Sequence, residues 1–321
     1  MRRTAAVIAV ALATTAGIAG CSSNTSAAPA ASADGSGVAT VRVAENNTAS
    51  SLLVAVAQEQ GYFDDHDLDV QGTTLADITV IPSLLGNQYD IGFSVAPMII
   101  NAASAGVDVA AISGNDTESD VPSFEVFGRE GITEAGQLEG MKIGTPTLTG
   151  NINLLTKAWL DSEGVDPSTV QFIQVATPNM VDQLKAGQID AAELQNPFIS
   201  QAEGAGMTNL GSVDRALGGE YVGNSFWISS GAWADANPEV VERFRAALDD
   251  AAAWVAANPD DAYQTVADFT KVSVDVAKQS PLGNYGTAIV PGTFDSWLDA
   301  MKTYNGFAGT VDVDKLTAAA E

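Results

Sequence analysis

The amino-acid sequence predicts an α/β fold built on largely parallel sheets. Two observations lead to this prediction: strand-like and helical segments alternate from residue 41, and the alternation restarts near residue 141. Hydrophobic residues make up 46% of the chain, which is ample for a buried core. The length suits two modest domains or one body with two lobes.

The first half of the chain alternates regularly between the two patterns. Apolar residues recur at helical spacing from Leu52 to Ala57, and Gly61 ends that helix. We predict strands at VRVAE (41–45), LDVQGTT (68–74), DIGFS (90–94) and VDVAAISG (107–114), and helices at SSLLVAVAQEQGYF (50–63), ITVIPSLLGNQ (78–88) and PMIINAASAG (97–106).

The second half resumes the alternation after a connection at FEVFGREG (124–131). We predict strands at MKIGTP (141–146), VQFIQVA (170–176) and IDAAEL (189–194), and helices at 150–164, 179–188, 198–206 and 237–259. The segments LLGNQYDIGFSVAP (84–97) and LKAGQIDAAELQNP (184–197) share Leu, Gln, Asp and Pro at the same offsets. This echo is either a coincidence between two helix–turn–strand units or a sign of two lobes of like build.

The N-terminus has the layout of a secretory signal. Arg2 and Arg3 precede a short apolar run, and Cys21, the only cysteine, ends a tetrapeptide that resembles the lipobox of bacterial lipoproteins. The resemblance implies a signal peptide over residues 1–20 and a diacyl anchor on Cys21; the alternative is a buried or free thiol. Residues 22–37 contain no large apolar side chain, so we predict a flexible tether over 21–38.

The formal net charge of −26 argues against nucleic acid as a partner, because a phosphate backbone would be repelled. Charged residues make up only 17% of the chain, so we attribute the acidity to a solvated surface. No apolar run after the signal is long enough to cross a membrane.

From about residue 41 to the C-terminus, the order of several phrases resembles the solute-binding proteins of ABC importers. These phrases are QEQGYFDDHDLDV, LLGNQYDIG, AASAGVDVAAIS, QLEGMKIGTP, LKAGQIDAAELQNPF and NPEVVERFRAALDDAAAWVAANP. The resemblance is to the SsuA/THI5-like, or NMT1-like, group, which carries nitrate, sulfonates, taurine and thiamine pyrimidine precursors.

This resemblance implies a bilobed periplasmic-binding-protein fold of type II, with chain crossovers near residues 123–129 and 224–230. Lobe one would comprise residues 39–125 and 228–321, and lobe two residues 126–227. A small ligand would bind between the lobes, at the carboxyl ends of strands. The partners would be an ABC permease with its ATPase, and the protein would be an exported, lipid-anchored monomer without a cofactor or metal.

Strand ends and helix starts supply the candidate ligand-binding residues: Glu45, Asn46, Asn47, Thr48, Ser94, Thr147, Thr149, Gly150, Asn151, Glu193, Asn196, Asn224, Phe226 and Trp227. For each glutamate the alternative is a surface position, and one of the two neighbouring aromatics is expected in the core. These loops carry Glu45 and Glu193 but no Lys or Arg, which favours a neutral or amino-bearing ligand such as an aminopyrimidine.

The alternatives for function are a sulfonate, taurine or nitrate carrier of the same class, and a sensory lipoprotein with the same fold. Arg129 or Arg215 in the cleft would favour an anionic ligand. Some pyrimidine-binding relatives are synthases that use a pyridoxal cofactor through lysine and histidine. The only histidine here, His66, lies in an acidic loop, so we do not expect an enzyme.

Overall fold

The computed structural model describes residues 32–33, 37–46, 48–118, 121–218 and 221–317. The predicted signal, Cys21, most of the predicted tether and Asn47 lie outside these residues. The described strands are β1 (Ser32–Ala33), β2 (Ala39–Glu45), β3 (Leu68–Thr74), β4 (Ile91–Val95), β5 (Ala110–Gly114), β6 (Phe124–Gly128), β7 (Lys142–Thr145), β8 (Gln171–Gln174), β9 (Ala191–Gln195), β10 (Thr208–Ser212) and β11 (Ser225–Ser229).

The described α-helices are α1 (Leu52–Gln60), α2 (Tyr62–Asp65), α3 (Ile81–Leu84), α4 (Ala96–Ser104), α5 (Asn151–Ser162), α6 (Thr177–Lys185), α7 (Phe198–Gly204), α8 (Gly231–Ala236), α9 (Pro238–Ala257), α10 (Pro259–Thr270), α11 (Val274–Ala277), α12 (Thr293–Asn305) and α13 (Asp314–Thr317). Short 3-10 turns precede α1 and α3, at Ala49–Ser51 and Ile78–Val80. Gly61 has a φ of 81° and divides the predicted helix 50–63 into α1 and α2, because this left-handed backbone favours glycine.

The first sheet has the strand order β3-β2-β4-β11-β5. Strand β2 runs parallel to β3 and β4, whereas β11 runs antiparallel to β4 and β5. Strand β1 pairs antiparallel with the start of β2, so two residues of the predicted tether belong to this sheet.

The second sheet repeats this arrangement in the order β8-β7-β9-β6-β10. Strand β7 runs parallel to β8 and β9, whereas β6 runs antiparallel to β9 and β10. The two segments of the sequence echo end in β4 and β9, which hold the same place in the two orders. The echo therefore reflects two lobes of like build.

The chain crosses between the sheets over residues 115–123 and 213–224, slightly before the predicted crossovers. The predicted connection at FEVFGREG contains strand β6 of the second sheet. The predicted lobe boundaries are corrected as well, because residues 124–125 pair within the second sheet and residues 225–227 within the first. Each crossover thus delivers the antiparallel strand of the lobe that it enters.

Apolar clusters hold both lobes together. One packs the first sheet against α1, α2 and α9, and the ring of Phe63 on α2 stacks on that of Phe244 on α9, with their centroids 5.7 Å apart. Another packs the second sheet against α6 and α7. A third runs through both lobes beneath α12, which contacts α4 and α5. Within the described part of the chain, no helix combines the length and apolar character needed to cross a membrane.

Candidate ligand-binding site between the lobes

A cavity of about 560 Å³ lies between the two lobes, and we call it the interlobe cavity. Its volume suits a small organic molecule. Lobe one contributes α3 with the turn before it and one side of α4, and lobe two contributes the loop between β7 and α5 and the first residue of α5. The lining residues are Thr79, Pro82, Ser83, Val95, Pro97, Met98, Asn101, Ala102, Val107, Thr147, Thr149, Gly150 and Asn151.

Two helices begin at this cavity, α4 from lobe one and α5 from lobe two. Neither Val95 nor Gly150, the residues at the two N-caps, makes a side-chain capping hydrogen bond within the described chain. The first turns of both helices also contain no acidic residue. Helix starts carry N–H groups without an intrahelical acceptor and a partial positive charge, so this cavity favours hydrogen-bond acceptors.

Asn224, at the end of the second crossover, joins the starts of the two helices. Its backbone oxygen accepts a hydrogen bond from Ala96 N at 3.3 Å. Its side-chain oxygen accepts one from Asn151 Nδ2 at 2.7 Å. One residue of the crossover therefore fixes the separation of α4 and α5.

The loop before α5 depends on a glycine. A Cβ atom at Gly150 would lie 2.7 Å from Thr147 Oγ1, which is too close for the present positions of these residues. Thr145 Oγ1 donates to the Thr147 backbone oxygen at 2.9 Å and holds the loop in place. Gly150 therefore lets the backbone at the start of α5 approach the cavity.

None of the described residues that line the interlobe cavity is Asp, Glu, Lys, Arg or His. The two arginines that could have supplied a positive charge are paired elsewhere. Arg129 Nε lies 2.9 Å from Asp190 Oδ1, and Arg215 pairs with Glu118. Helix N–H groups and neutral side chains therefore supply the polar contacts of the cavity.

Glu45 does not line the interlobe cavity, which corrects its predicted place. Alternation along β2 directs Val41, Val43 and Glu45 to the same side, where the two valines join the cluster that contains α1. Glu45 is 6% exposed and faces a separate cavity beside α1 and α10. Burial raises the pKa of its carboxyl group to about 7.

Glu193 is also placed away from the interlobe cavity. It is 1% exposed on β9, and Asn153 Nδ2 donates to its Oε1 at 3.1 Å. Residues 191–194 are all buried, because helices cover both faces of this central strand. Burial raises the pKa of Glu193 to about 7, and its bond to Asn153 and the charge of Lys157 oppose that rise.

Phe226 and Trp227 are both fully buried, so neither is placed to stack on a ligand. The ring of Phe226 lies 5.0 Å from that of Phe294, and Trp227 Nε1 donates to Asn115 Oδ1 at 3.0 Å. We expected one of the two in the core. Both are there because β11 lies in the middle of its sheet and is buried along its whole length.

The other predicted residues that the structure describes fall into three sets. Asn46, Thr48 and Asn196 make local contacts: the Asn46 side chain accepts from Thr48 Oγ1 at 2.9 Å, and Asn196 accepts from Ser200 Oγ at 3.4 Å. Ser94 is buried next to Val95 of the cavity, and its Oγ has no partner among the described residues. Thr147, Thr149, Gly150 and Asn151 do come together at the interlobe cavity, with Asn224 bonded to Asn151.

The sequence prediction missed the lobe-one wall formed by Thr79, Pro82 and Ser83. These residues follow β3, so the rule that selected loops after other strands would also have selected this one. It also missed Asp116 in the first crossover, whose carboxylate accepts hydrogen bonds from Tyr221 Oη and, at 2.8 Å, from Ser225 N. No local pattern in the sequence indicates this contact across more than 100 residues.

Asp116 belongs to a set of reciprocal contacts between the two crossovers. From the second crossover, Asp214 accepts from Ser123 N at 2.6 Å and from Phe124 N at 3.2 Å. Burial raises the pKa of Asp116, and it raises the pKa of Asp214 to about 6. Each crossover therefore provides a carboxylate that binds backbone N–H groups at the end of the other.

His66 lies away from the interlobe cavity and the crossovers. Its Nε2 is 2.8 Å from Asp250 Oδ2 on α9, at the surface of lobe one. It does not line the interlobe cavity.

Comparisons with known proteins relate the chain to binding proteins over most of its length. A candidate binding protein of Brucella abortus (strain 2308) is 26% identical over 261 residues, which cover 78% of this chain and 79% of the relative. The 4-amino-5-hydroxymethyl-2-methylpyrimidine phosphate synthase THI13 of Saccharomyces cerevisiae is 26% identical over 236 residues, covering 68% of this chain and 67% of the yeast protein.

Among solved structures, the periplasmic aliphatic sulphonate binding protein SsuA of Escherichia coli aligns with a TM-score of 0.74 at 15% identity, covering 87% of this chain and 91% of that protein. The periplasmic nitrate-binding protein NrtA of Synechocystis PCC 6803 aligns with a TM-score of 0.58 at 14% identity, covering 88% and 92%. These similarities establish the bilobed periplasmic-binding-protein fold. The NMT1/THI5-like family model matches residues 48–262, and the chain belongs to the NMT1/THI5-like family.

Proposed function

We propose that this chain is an extracytoplasmic solute-binding protein, which captures a small polar molecule between its lobes and delivers it to an ABC import permease. The observation that carries the proposal is the interlobe cavity, where two helix starts from different lobes meet. The relation to a candidate binding protein of Brucella abortus and the fold shared with sulfonate- and nitrate-binding proteins support it.

The ligand of the interlobe cavity carries a hydrogen-bond acceptor head group, such as a sulfonate, nitrate or carbonyl. Free N–H groups at the start of α5 and the hydroxyls of Thr147 and Thr149 suit such a group. The start of α4 adds the positive end of its dipole, because its Ala96 N–H is already bonded to Asn224 and Pro97 has no N–H. Apolar side chains, including Pro82 and Met98, suit a short aliphatic or ring portion.

This ligand class differs from the amino-bearing one favoured by the sequence. That inference depended on carboxylates in the ligand site, and neither Glu45 nor Glu193 lines the interlobe cavity. The sulfonate and nitrate alternative therefore fits the geometry better. An aminopyrimidine stays a test compound, because a yeast relative is a pyrimidine phosphate synthase.

Ligand capture closes the lobes by a hinge at the two crossovers. Asp116 and Asp214 bind the ends of the two crossovers to each other, which keeps the crossovers side by side as the lobes close. Asn224 then couples closure to the separation of α4 and α5, because it is bonded to both helix starts.

The protein works outside the cytoplasm as a monomer, tethered to the membrane by lipid on Cys21. The signal-like N-terminus and the lipobox-like tetrapeptide support this part of the proposal.

The protein has no enzymatic activity of the pyrimidine-synthase kind. That reaction calls on histidine and lysine, and the single histidine is paired with Asp250 away from the interlobe cavity.

A thermal-shift screen of the purified full chain tests the ligand class. The panel contains ethanesulfonate, taurine, nitrate, bicarbonate, an aminopyrimidine and propylammonium. A ligand that binds only the folded state raises the melting temperature by mass action. We expect a saturable shift with a sulfonate or nitrate that is reduced in Asn151→Ala. A shift with the aminopyrimidine alone contradicts the acceptor assignment, and turnover of it contradicts a pure binding role.

A further inference from the structure

A second cavity of about 470 Å³ lies within lobe one, between the edge strand β3, helix α1 and helix α10, and we call it the lobe-one cavity. Its walls include Glu45, Gln58, Glu59, Val70, Asp268 and Phe269. It shares no lining residue with the interlobe cavity. The binding of solute between the lobes therefore gives it no role.

The carboxylate of Glu45 is the buried polar group of this cavity. The residue is 6% exposed, and its Oε2 has no hydrogen-bond partner among the described residues. A buried acceptor without a donor is unfavourable, so this oxygen indicates a place for a donor from outside the chain. A Cβ at the neighbouring Gly72 would lie 3.3 Å from Glu45 Oε1, so glycine leaves room for the carboxylate.

Two more carboxylates surround the opening of the lobe-one cavity. Glu59 on α1 is fixed by Thr265 on α10, whose Oγ1 donates to Glu59 Oε2 at 2.7 Å. Asp268 is one turn further along α10. None of the described lining residues is Lys, Arg or His, so the local charge favours a cation.

The spacing of the carboxylates and the apolar lining of the cavity indicate which kind of cation it suits. Among the described residues, no group of three or more His, Cys, Asp or Glu is close enough to hold a metal ion. An organic cation can instead place one N–H donor on a single carboxylate and bury its carbon atoms. Val54, Val70 and Phe269 offer apolar and aromatic surface for that purpose.

We propose that the lobe-one cavity is a second binding site, which takes a small organic ammonium ion and holds it through the Glu45 carboxylate. The titratable groups facing Glu45 across the cavity are Glu59 and Asp268, and both add negative charge. Because burial raises the pKa of Glu45 to about 7, protonation weakens the binding of a cation as the pH falls below that value.

Isothermal titration of the full chain with propylammonium chloride at pH 8 tests the proposal, with 1-propanol as the uncharged match. We expect saturable binding of propylammonium and none of 1-propanol. Glu45→Gln should weaken binding at least about tenfold, because it removes the charged acceptor. Glu193→Gln is the matched control, since Glu193 is also a buried glutamate but lines neither cavity, and this variant should bind propylammonium normally.

Absence of saturable binding, or equal binding by Glu45→Gln, overturns the proposal. If Glu45→Gln fails to fold, carbon NMR of the wild-type carboxyl groups replaces it: saturating propylammonium should lower the pKa of Glu45, and an unchanged pKa overturns the proposal. Asn151→Ala alters only the interlobe cavity, so it should leave propylammonium binding intact. Failure at one cavity is therefore distinguishable from failure at the other.

Discussion

The interlobe cavity and the lobe-one cavity are similar in volume, about 560 and 470 Å³, but their polar groups have opposite character. The first is lined by helix starts and neutral side chains, without a charged residue among its described lining. The second contains three carboxylates, Glu45, Glu59 and Asp268. One therefore suits an acceptor and the other a cationic donor.

The difference shows that a residue at a strand end belongs to a ligand site only if it lies on the right face. Glu45 ends β2 near the ligand-binding edge, yet alternation turns its side chain toward α1. Thr147 and Asn151 come from a loop and a helix start, which carry their side chains to the cleft. The ligand preference of each cavity has to be derived from its own lining.

Among the variants, Asp116→Ala should cause the largest loss of stability, because its carboxylate is bonded to several groups of the other crossover. It should also distinguish the two cavities, since the interlobe cavity depends on the hinge and the lobe-one cavity does not. The Tyr221 hydroxyl and the N–H groups of Asn224 and Ser225 lose their acceptor. We expect the free energy of unfolding to fall by about 3 kcal/mol in urea titration, and sulfonate binding to weaken more than propylammonium binding.

Glu118→Ala is the control for this variant, since it breaks an exposed ion pair with Arg215 between the same crossovers. Glu118→Ala should lower the free energy of unfolding by less than about 1 kcal/mol. Equal stability of the two variants would show that the buried carboxylate does not hold the hinge.

The second-largest effect is a pH dependence of the free energy of unfolding, which we expect from the two buried glutamates. Burial raises the pKa of Glu45 and Glu193 from 4.5 to about 7 in the folded protein, so the folded state binds more protons between these values. Stability should therefore fall as the pH rises from about 5 to 8, and either Glu→Gln change should reduce that fall by up to about 3 kcal/mol. Urea titrations at several pH values measure it.

Propylammonium should distinguish the contributions of Glu45 and Glu193 to the pH dependence of stability. By favouring the ionised form of Glu45, it should remove the Glu45 part of the pH dependence and leave the Glu193 part. The exposed substitution Glu203→Gln is the control and should leave the pH profile unchanged. An unchanged profile in both buried variants would contradict the raised pKa values.

A smaller effect is expected from Asn151→Ala, which removes the hydrogen bond to Asn224 and one polar group of the interlobe cavity. Sulfonate binding should weaken about tenfold in isothermal titration. Asn209→Ala, an exposed position on β10 outside that cavity, is the control. Equal affinities for the two variants would exclude the start of α5 from the site.

The smallest effect is expected from Gly150→Ala. Its new Cβ must displace the Thr147 hydroxyl, so we expect sulfonate affinity to fall by a few-fold, roughly 1 kcal/mol or less. Gly136→Ala is a matched control, because nothing lies within 4 Å of its added Cβ. A loss of affinity in the control but not in Gly150→Ala would contradict the close approach at α5.

Most of the architecture could be predicted from the sequence, because hydrophobic spacing and glycine positions are local signals. The predicted strand LDVQGTT is β3, and the sequence echo marks equivalent strands in the two sheets. The crossover strands β6 and β11 were harder to predict, since their place depends on pairing with distant strands.

The candidate site was predicted only in part. The loop from Thr147 to Asn151 follows a strand and starts a helix, and these local signals place it at the cavity. The positions of Glu193 and Trp227 depend on which helices cover β9 and β11, and no local pattern records this coverage. The role of Asp116 could not be predicted, because its partners lie 105 to 109 positions further along the chain.

A crystal structure of the full chain with ethanesulfonate will show whether the ligand binds at the helix starts of the interlobe cavity. We expect the sulfonate oxygens within hydrogen-bonding distance of first-turn N–H groups of α5 and facing the start of α4, with the ethyl group toward Pro82 and Met98. A structure with the interlobe cavity empty at saturating ethanesulfonate, or with the sulfonate turned away from both helix starts, would show that the helix starts do not bind the ligand.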